Sequence, residues 1–542
     1  MSTEQRYETK RLDHLGIVAG VCHEIDLIET VNQAVGPHES KVSCGASVQA
    51  MVLNALGFSS RALYLVPQYL ANKPVDLLIQ PGFTAEDFND DALGRSLDRL
   101  YEVGVTEVFT HVVRKALSTF GIEHQFYHLD SSSFHLHGQY TIDDPKPEAI
   151  EITYGYSKDH RPDLKQVVLN LITGHRSQLP VWMEVLSGNQ SDKESFPQSI
   201  RSFCQQMQES QNCFFVVDSA LYSAGNLSDL QGTRWLTRVP ETLTMAKELI
   251  AEIETEAMTV LQNGYAYHEV IRTYGGAKQR WVLIFSPLAA QREEKTLQRH
   301  IKKEEEKAAR AWRQLQGQVF NCPEDALTAL AKVQKGWKYH QLQAEVKPLT
   351  RYAGPGRPRR DTKPEIVGYQ LHGGVIENEA AIAQKRSRLG RFILATNELN
   401  QDTLSAERML LQYKTQAVSV ERGFRFLKDP LFFADSLFLK KPSRIMALTM
   451  IMVLSLLIYA LAERKLRLQL AETGQRVPNQ VGKTTQTPTM RWIFQLFEGI
   501  DVLLVYQGAR QVGRQVLNLN QTHRDIIRLL GPPVEKCYLL AS

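Results

Sequence analysis

Two short apolar runs, Tyr127-His128-Leu129-Asp130 and Phe214-Phe215-Val216-Val217-Asp218, each close on an aspartate. Runs of this length, bounded by Gly, Pro, Asn and Asp, read as strands. Val167 to Ile172 and Val181 to Leu186 read the same way, and a helix-like stretch, Pro197 to Ser210, precedes the strand that ends at Asp218. Strands interleaved with helices predict an α/β sheet, and the site of such a sheet lies outside the carboxyl ends of its strands. Both aspartates are expected there. Much later, Arg391 to Thr396 resumes as a buried-type strand, and a helix over Tyr413 to Lys428 follows it.

The interval between Asp218 and Glu421 is too long for a simple crossover, and an inserted domain fits it. At 542 residues the chain also exceeds one ordinary domain. The expected order is a helical N-terminal domain over 1–118 for DNA binding or dimerisation, then the first part of an α/β core over 119–240. An insertion over 241–388 comes next, then the second part of the core over 389–470 and a helical C-terminal region over 471–542. Within the insertion, Tyr265 to Phe285 predicts a hairpin around Gly275-Gly276, Ala290 to Gln316 a charged helix, and Lys335 to Gly374 a basic, irregular stretch.

Hydrophobic residues at 43% and charged residues at 23% exclude a largely disordered chain. A net charge of +4 permits a nucleic-acid partner only if the basic residues cluster. The six cysteines are scattered with no C-x-x-C pair, which points to a reducing compartment and away from a zinc ribbon. Met1 to Arg11 is polar, without a signal-peptide core. Ile445 to Ala462 is 18 residues without a charge, the lower limit for a membrane span. It is the one such segment and follows the basic helix directly, so a helix buried on all sides is expected, with no membrane partner.

The chemistry lies in the carboxylates. Phosphoryl transfer on nucleic acid gains from two divalent ions, and hard cations prefer carboxylate oxygens. Asp130, Asp218 and the helix-borne Glu421 meet that need if they converge at one sheet edge. Glu421, Phe424, Arg425 and Lys428 fall near one helix face, so cations would stand beside the third carboxylate to contact phosphates. Each residue also has an ordinary reading: a strand-ending turn aspartate, or a Glu–Arg surface pair.

These motifs resemble the DDE-class transposases of insertion sequences, in the IS-four type superfamily, long-insertion branch. In that group the third acidic residue sits in a Tyr-x2-Arg-x3-Glu-x6-Lys signature. Tyr413, Glu421 and Lys428 match, with the Glu-to-Lys spacing intact, whereas Gln416 stands at the Arg offset and Tyr413 to Glu421 is one residue longer. Gly155 to Gln166, Gly188 to Asp192 and Phe424 to Lys428 also look like the family. The resemblance implies an RNase H-like catalytic core interrupted by a large mixed insertion. It further implies two Mg²⁺ ions, or Mn²⁺ in their place, on Asp130, Asp218 and Glu421. DNA would be the partner, both inverted-repeat ends and target, with Tyr413, Arg422, Arg425 and Lys428 gripping it and a homodimer forming there. A cytoplasmic, nucleoid-associated protein is expected. The rivals are a related metal-dependent nuclease and a non-catalytic DNA-binding relic.

Other motifs carry less. His124, His128, His135 and His137 crowd around Asp130, but as polar residues of a hairpin rather than a transition-metal site. The Gly-Arg-Pro core at Gly356-Arg357-Pro358, followed by Arg359, suits an A-T minor groove, and either residue can touch phosphates. No P-loop is present, so nothing points to ATP.

Overall fold

The computed structural model describes residues 5–58, 62–138, 140, 150–207, 213–354, 363–429 and 439–540. The chain divides into two compact units. One comprises Met1–Thr237, Thr273–Gln279 and Thr396–Ser542; the other comprises Arg238–Arg272 and Arg280–Ala395.

The first unit is built on five strands: β1 (Phe126–Leu136), β2 (Lys165–Gly174), β3 (Pro180–Ser187), β4 (Phe214–Val217) and β5 (Arg234–Arg238). Helix α1 (Asp192–Met207) links β3 to β4. The strand order is β3-β2-β1-β4-β5. β1, β2 and β3 pair antiparallel, while β4 runs parallel to both β1 and β5. All four residues of β4 are buried, as an unbroken apolar run must be when both sheet faces are covered.

Asp130 does not end its strand. β1 continues through Ser131-Ser132-Ser133 to Leu136, in unbroken antiparallel register with β2. Three serines in a row signal a turn in sequence, yet here all three are buried, and Ser131 and Ser133 bond to Asp192 and Lys158.

Two helices follow the second unit in the chain. α2 (Ala406–Leu427) starts at Ser405, whose hydroxyl accepts from the Arg408 amide at 3.2 Å. It buries Met409, Leu410, Val420, Phe424 and Leu427. α3 (Pro442–Thr473) starts with Pro442 in its first turn and stops at Gly474, whose φ of 71° supplies the left-handed residue of a helix C-terminus. This 32-residue helix contains the uncharged stretch, and 83% of its apolar window is buried inside the protein. It packs on β3, α2 and the helices Leu15–Glu24, Cys44–Ala55, Asp90–Val103, Val105–Thr119 and Gln521–Leu530. Neighbours on every side explain why it is apolar around its whole circumference. Leu457, fully buried at its centre, is a direct test: Leu457→Ala should destabilise the fold by about 2–5 kcal/mol in urea unfolding. A change under about 1 kcal/mol would mean that the helix faces something other than a packed interior.

The C-terminal region is not wholly helical. Asp501–Gln507 and Arg510–Leu517 form an antiparallel hairpin that turns at Gly508, and Gln5–Arg11 pairs with its first strand. The Val-rich runs favour strands, and the partner that stabilises them lies at the far end of the chain. The described N-terminal residues are otherwise mainly helical, from Leu15–Glu24 to Val105–Thr119.

In the second unit the strands Arg391–Thr396, Ala277–Phe285, Ala266–Tyr274 and Thr259–Val260 lie in that order. Lys335 to Gly374 is not irregular: His340–Arg351 pairs antiparallel with Glu365–Glu377. One face of this ribbon packs Leu342 and Leu371 against Trp312 and Leu315 of the helix Pro287–Gln316. The many basic and polar residues occupy the alternate, exposed positions. Arg357 and Arg359 lie outside the described residues.

Candidate active site

Strand register brings two of the three carboxylates together. Leu129 of β1 is opposite Val217 of β4 in parallel pairing, so Asp130 and Asp218 each come one residue later on adjacent strands. Neighbouring strands are about 4.8 Å apart, which puts the two side chains at one edge of the site. Asp218 leaves β4 as the cap of a short turn, its Oδ1 accepting from the Ala220 amide at 2.9 Å. Asp130 Oδ1 accepts from the Ser131 amide at 2.7 Å.

Burial dominates their titration. It pushes the Asp130 carboxyl up to about 6, with Lys158 pulling against it and the negative charges of Asp218 and Asp192 adding to it. Asp218 is raised as well, again by burial first. Lys158 answers both. Its ammonium is 3.6 Å from Asp130 and 3.1 Å from Asp192, and it donates to the Ser131 carbonyl and hydroxyl at 2.8 Å each. Burial disfavours that charge, but Asp130 and Asp192 outweigh it and hold the lysine above its ordinary value.

Helix α2 crosses the sheet face on which Asp130 points. Arg408 stands over the Phe126 ring at 5.0 Å, the Gln416 amide donates to the Leu129 carbonyl at 3.3 Å, and Lys428 stands over Phe134 at 5.5 Å. Phe126, Asp130 and Phe134 are four apart along a strand of period two, so they share that face. Glu421 is on this helix and exposed. The structure does not gather it with the aspartates: among the described residues, no three His, Cys, Asp or Glu side chains are close enough to hold a metal ion. The oxygen-only donors of Asp130 and Asp218 do fit a hard divalent cation, and Lys158 now supplies the positive charge beside them.

The expected phosphate-gripping cations are dispersed. Lys428 pairs with Asp159 at 2.6 Å. Arg422 bonds to Glu463 and to the Gln178 amide oxygen, the latter at 2.8 Å. Arg425 is exposed, and Tyr413 is half-buried. The histidines are dispersed too: His124 bonds to Ser177 at 2.6 Å, His128 to His175 at 3.1 Å and His135 to Ser157 at 2.9 Å. Sequence reasoning missed Lys158 and Asp192 as members of the site. Both lie in stretches quoted for the family resemblance, Gly155 to Gln166 and Gly188 to Asp192, so the signal was present without a role attached to it.

Comparison with known proteins matches residues 122–458 to the family described as Transposase DDE domain. Residues 7–114 match a domain of unknown function (DUF4277). No curated protein matches the chain. Among solved structures, a piggyBac transposase synaptic complex with hairpin DNA aligns at 8% identity over 91% of this chain and 82% of its own, with a TM-score of 0.37.

Proposed function

The chain belongs to the DDE transposase family, and from that membership we propose that it cuts DNA at the inverted-repeat ends of an insertion sequence and joins them to target DNA. The observation that carries this reading is the register that sets Asp130 beside Asp218 at the ends of adjacent parallel pairings. The five-stranded order β3-β2-β1-β4-β5, with α2 across it, supports an RNase H-like core, and the second unit supports a large insertion into it.

In this reading Asp130, Asp218 and Glu421 would hold two Mg²⁺ ions, or Mn²⁺, with Glu421 brought to the aspartates as metal and DNA bind. Such ions, when bound, would supply Lewis-acid stabilisation of the charge that develops during cutting and joining. The side chains do the rest. Asp130 and Asp218 are fixed by backbone amides, so their oxygens are oriented before a cation arrives. The exposure of Glu421 leaves it open to that cation. Lys158 offsets part of the aspartates' charge and is placed to meet a phosphate oxygen. Arg425 and Lys428 orient the phosphodiester, Lys428 by exchanging Asp159 for it, and Tyr413 and Arg422 border the DNA path. Two copies, one at each end, form the working assembly.

The test uses the DNA that flanks this gene. Incubated with Mg²⁺ and a target plasmid, a duplex carrying those flanks should be cut at the repeat boundary and recovered covalently joined to target. Cutting without joining would make the protein a nuclease. Tight binding to the repeats with neither reaction would make it a relic.

A further inference from the structure

A cleft of about 410 Å³ in the first unit is lined by six arginines: Arg176, Arg422, Arg425, Arg464, Arg467 and Arg491. Its acidic residues are Glu463 and Asp429, so the lining carries six positive charges against two negative, a surplus of four. That equals the formal net charge of the entire 542-residue chain. Basic residues are therefore clustered at this cleft, as a nucleic-acid site requires.

Three elements and a turn build the cleft: α2, α3, the β2–β3 turn and the start of α4 (Met490–Leu496). Glu463, 5% exposed, organises its floor. One of its oxygens takes Arg422 and, at 3.0 Å, Arg467; the other accepts from the Met490 amide at 2.9 Å. Arg491 is held by Asp429 at 2.8 Å. Arg176, Arg425 and Arg464 have no ion-pair partner among the described residues, so their charge is uncompensated at the cleft wall.

We infer that the cleft holds the sugar–phosphate backbone of target DNA. This rests on the transposase reading above. Arginine forks match phosphate oxygens, and these contacts carry no base information. The one side-chain amide in the lining, Gln178, is committed to Arg422. Arginine forks can also reach guanine edges, but with no free side-chain amide to read adenine the lining suits the backbone of target DNA of any sequence better than an inverted repeat, which must be recognised by its bases.

The test is a double substitution, Arg176→Gln with Arg464→Gln, which removes two uncompensated charges and keeps the stems. Binding to a random-sequence duplex should weaken, with the slope of log K against log [salt] falling by roughly 1.8 for two lost phosphate contacts. Joining to target should drop at least about tenfold at moderate salt, while end cleavage stays within about twofold. Arg176→Lys with Arg464→Lys should restore the slope. An unchanged slope in a folded double variant would overturn the assignment and make the cleft structural. Equal losses of end cleavage and joining would overturn it in favour of end binding. If the wild-type chain cuts no ends at all, the transposase reading fails by itself, while the salt slope still decides whether the cleft binds DNA.

Discussion

Asp218→Asn should lower the single-turnover rate of end cleavage by roughly a thousandfold or more while leaving the fold intact. A ligand to a Lewis-acidic ion supports several kcal/mol of transition-state stabilisation, and each 1.4 kcal/mol or so is a factor of ten in rate. The amide keeps an oxygen for the Ala220 N–H and fits the same space, so the cap survives. Stability should not suffer at neutral pH. Burial raises the folded-state pKa of Asp218, so the stability linked to that group is complete below its unfolded pKa and is lost as pH rises through the folded one. At pH 7 the charge is a burden on the fold, and asparagine removes it. Asp130→Asn should behave alike. A variant that cuts at the wild-type rate would remove that aspartate from the chemistry.

The second large effect is acid sensitivity. His14 is almost fully buried, its Nε2 is 2.7 Å from the Leu56 carbonyl, and its ring stacks on Phe494 at 4.3 Å. Burial lowers its pKa to about 4, and that of His128 to about 3. Both folded-state values lie below the unfolded value of about 6.5, so the unfolded chain binds more protons once pH drops under that point. Stability is therefore full above pH 6.5 or so and falls as pH descends toward 4. Each histidine contributes on the order of 3 kcal/mol to the loss, against a typical total of about 5–15 kcal/mol. Urea midpoints measured from pH 7.5 to 4.5 should fall steeply, and His14→Gln, which still donates a hydrogen bond but does not titrate, should make the profile shallower while the His128 share remains. A flat wild-type profile would mean that these rings are not held neutral by burial.

What could be read from the residues alone follows the range of the forces involved. Phe214 to Val217 is an apolar run short enough to be only a strand, so Asp218 was placed by local pattern. Ser405 and the apolar spacing behind it likewise mark α2. Asp130 is expected to close its strand, yet the strand runs on to Leu136, because Ser131 and Ser133 find partners in Lys158 and Asp192, which come from later in the chain. The C-terminal hairpin was invisible for the same reason: its third strand, Gln5–Arg11, is remote in sequence. The pairing of Arg422 with Glu463, and of Lys428 with Asp159, depends on helices and loops meeting in space, which residue spacing does not encode.

The remote pairing also has a consequence in time. Strand Gln5–Arg11 needs Asp501–Gln507, Gly16 lies against the Tyr538 ring, and Gly20 against Val534. The strand is thus paired, and the helix behind it closed, only by residues made some 490 or more positions later, counting from Arg11 to Asp501. At about 5–20 residues per second that wait is roughly half a minute to a minute and a half. For that interval strand Gln5–Arg11 lacks its partner and the helix face at Gly16 and Gly20 lacks its cover, an exposed edge of the kind that invites pairing between chains.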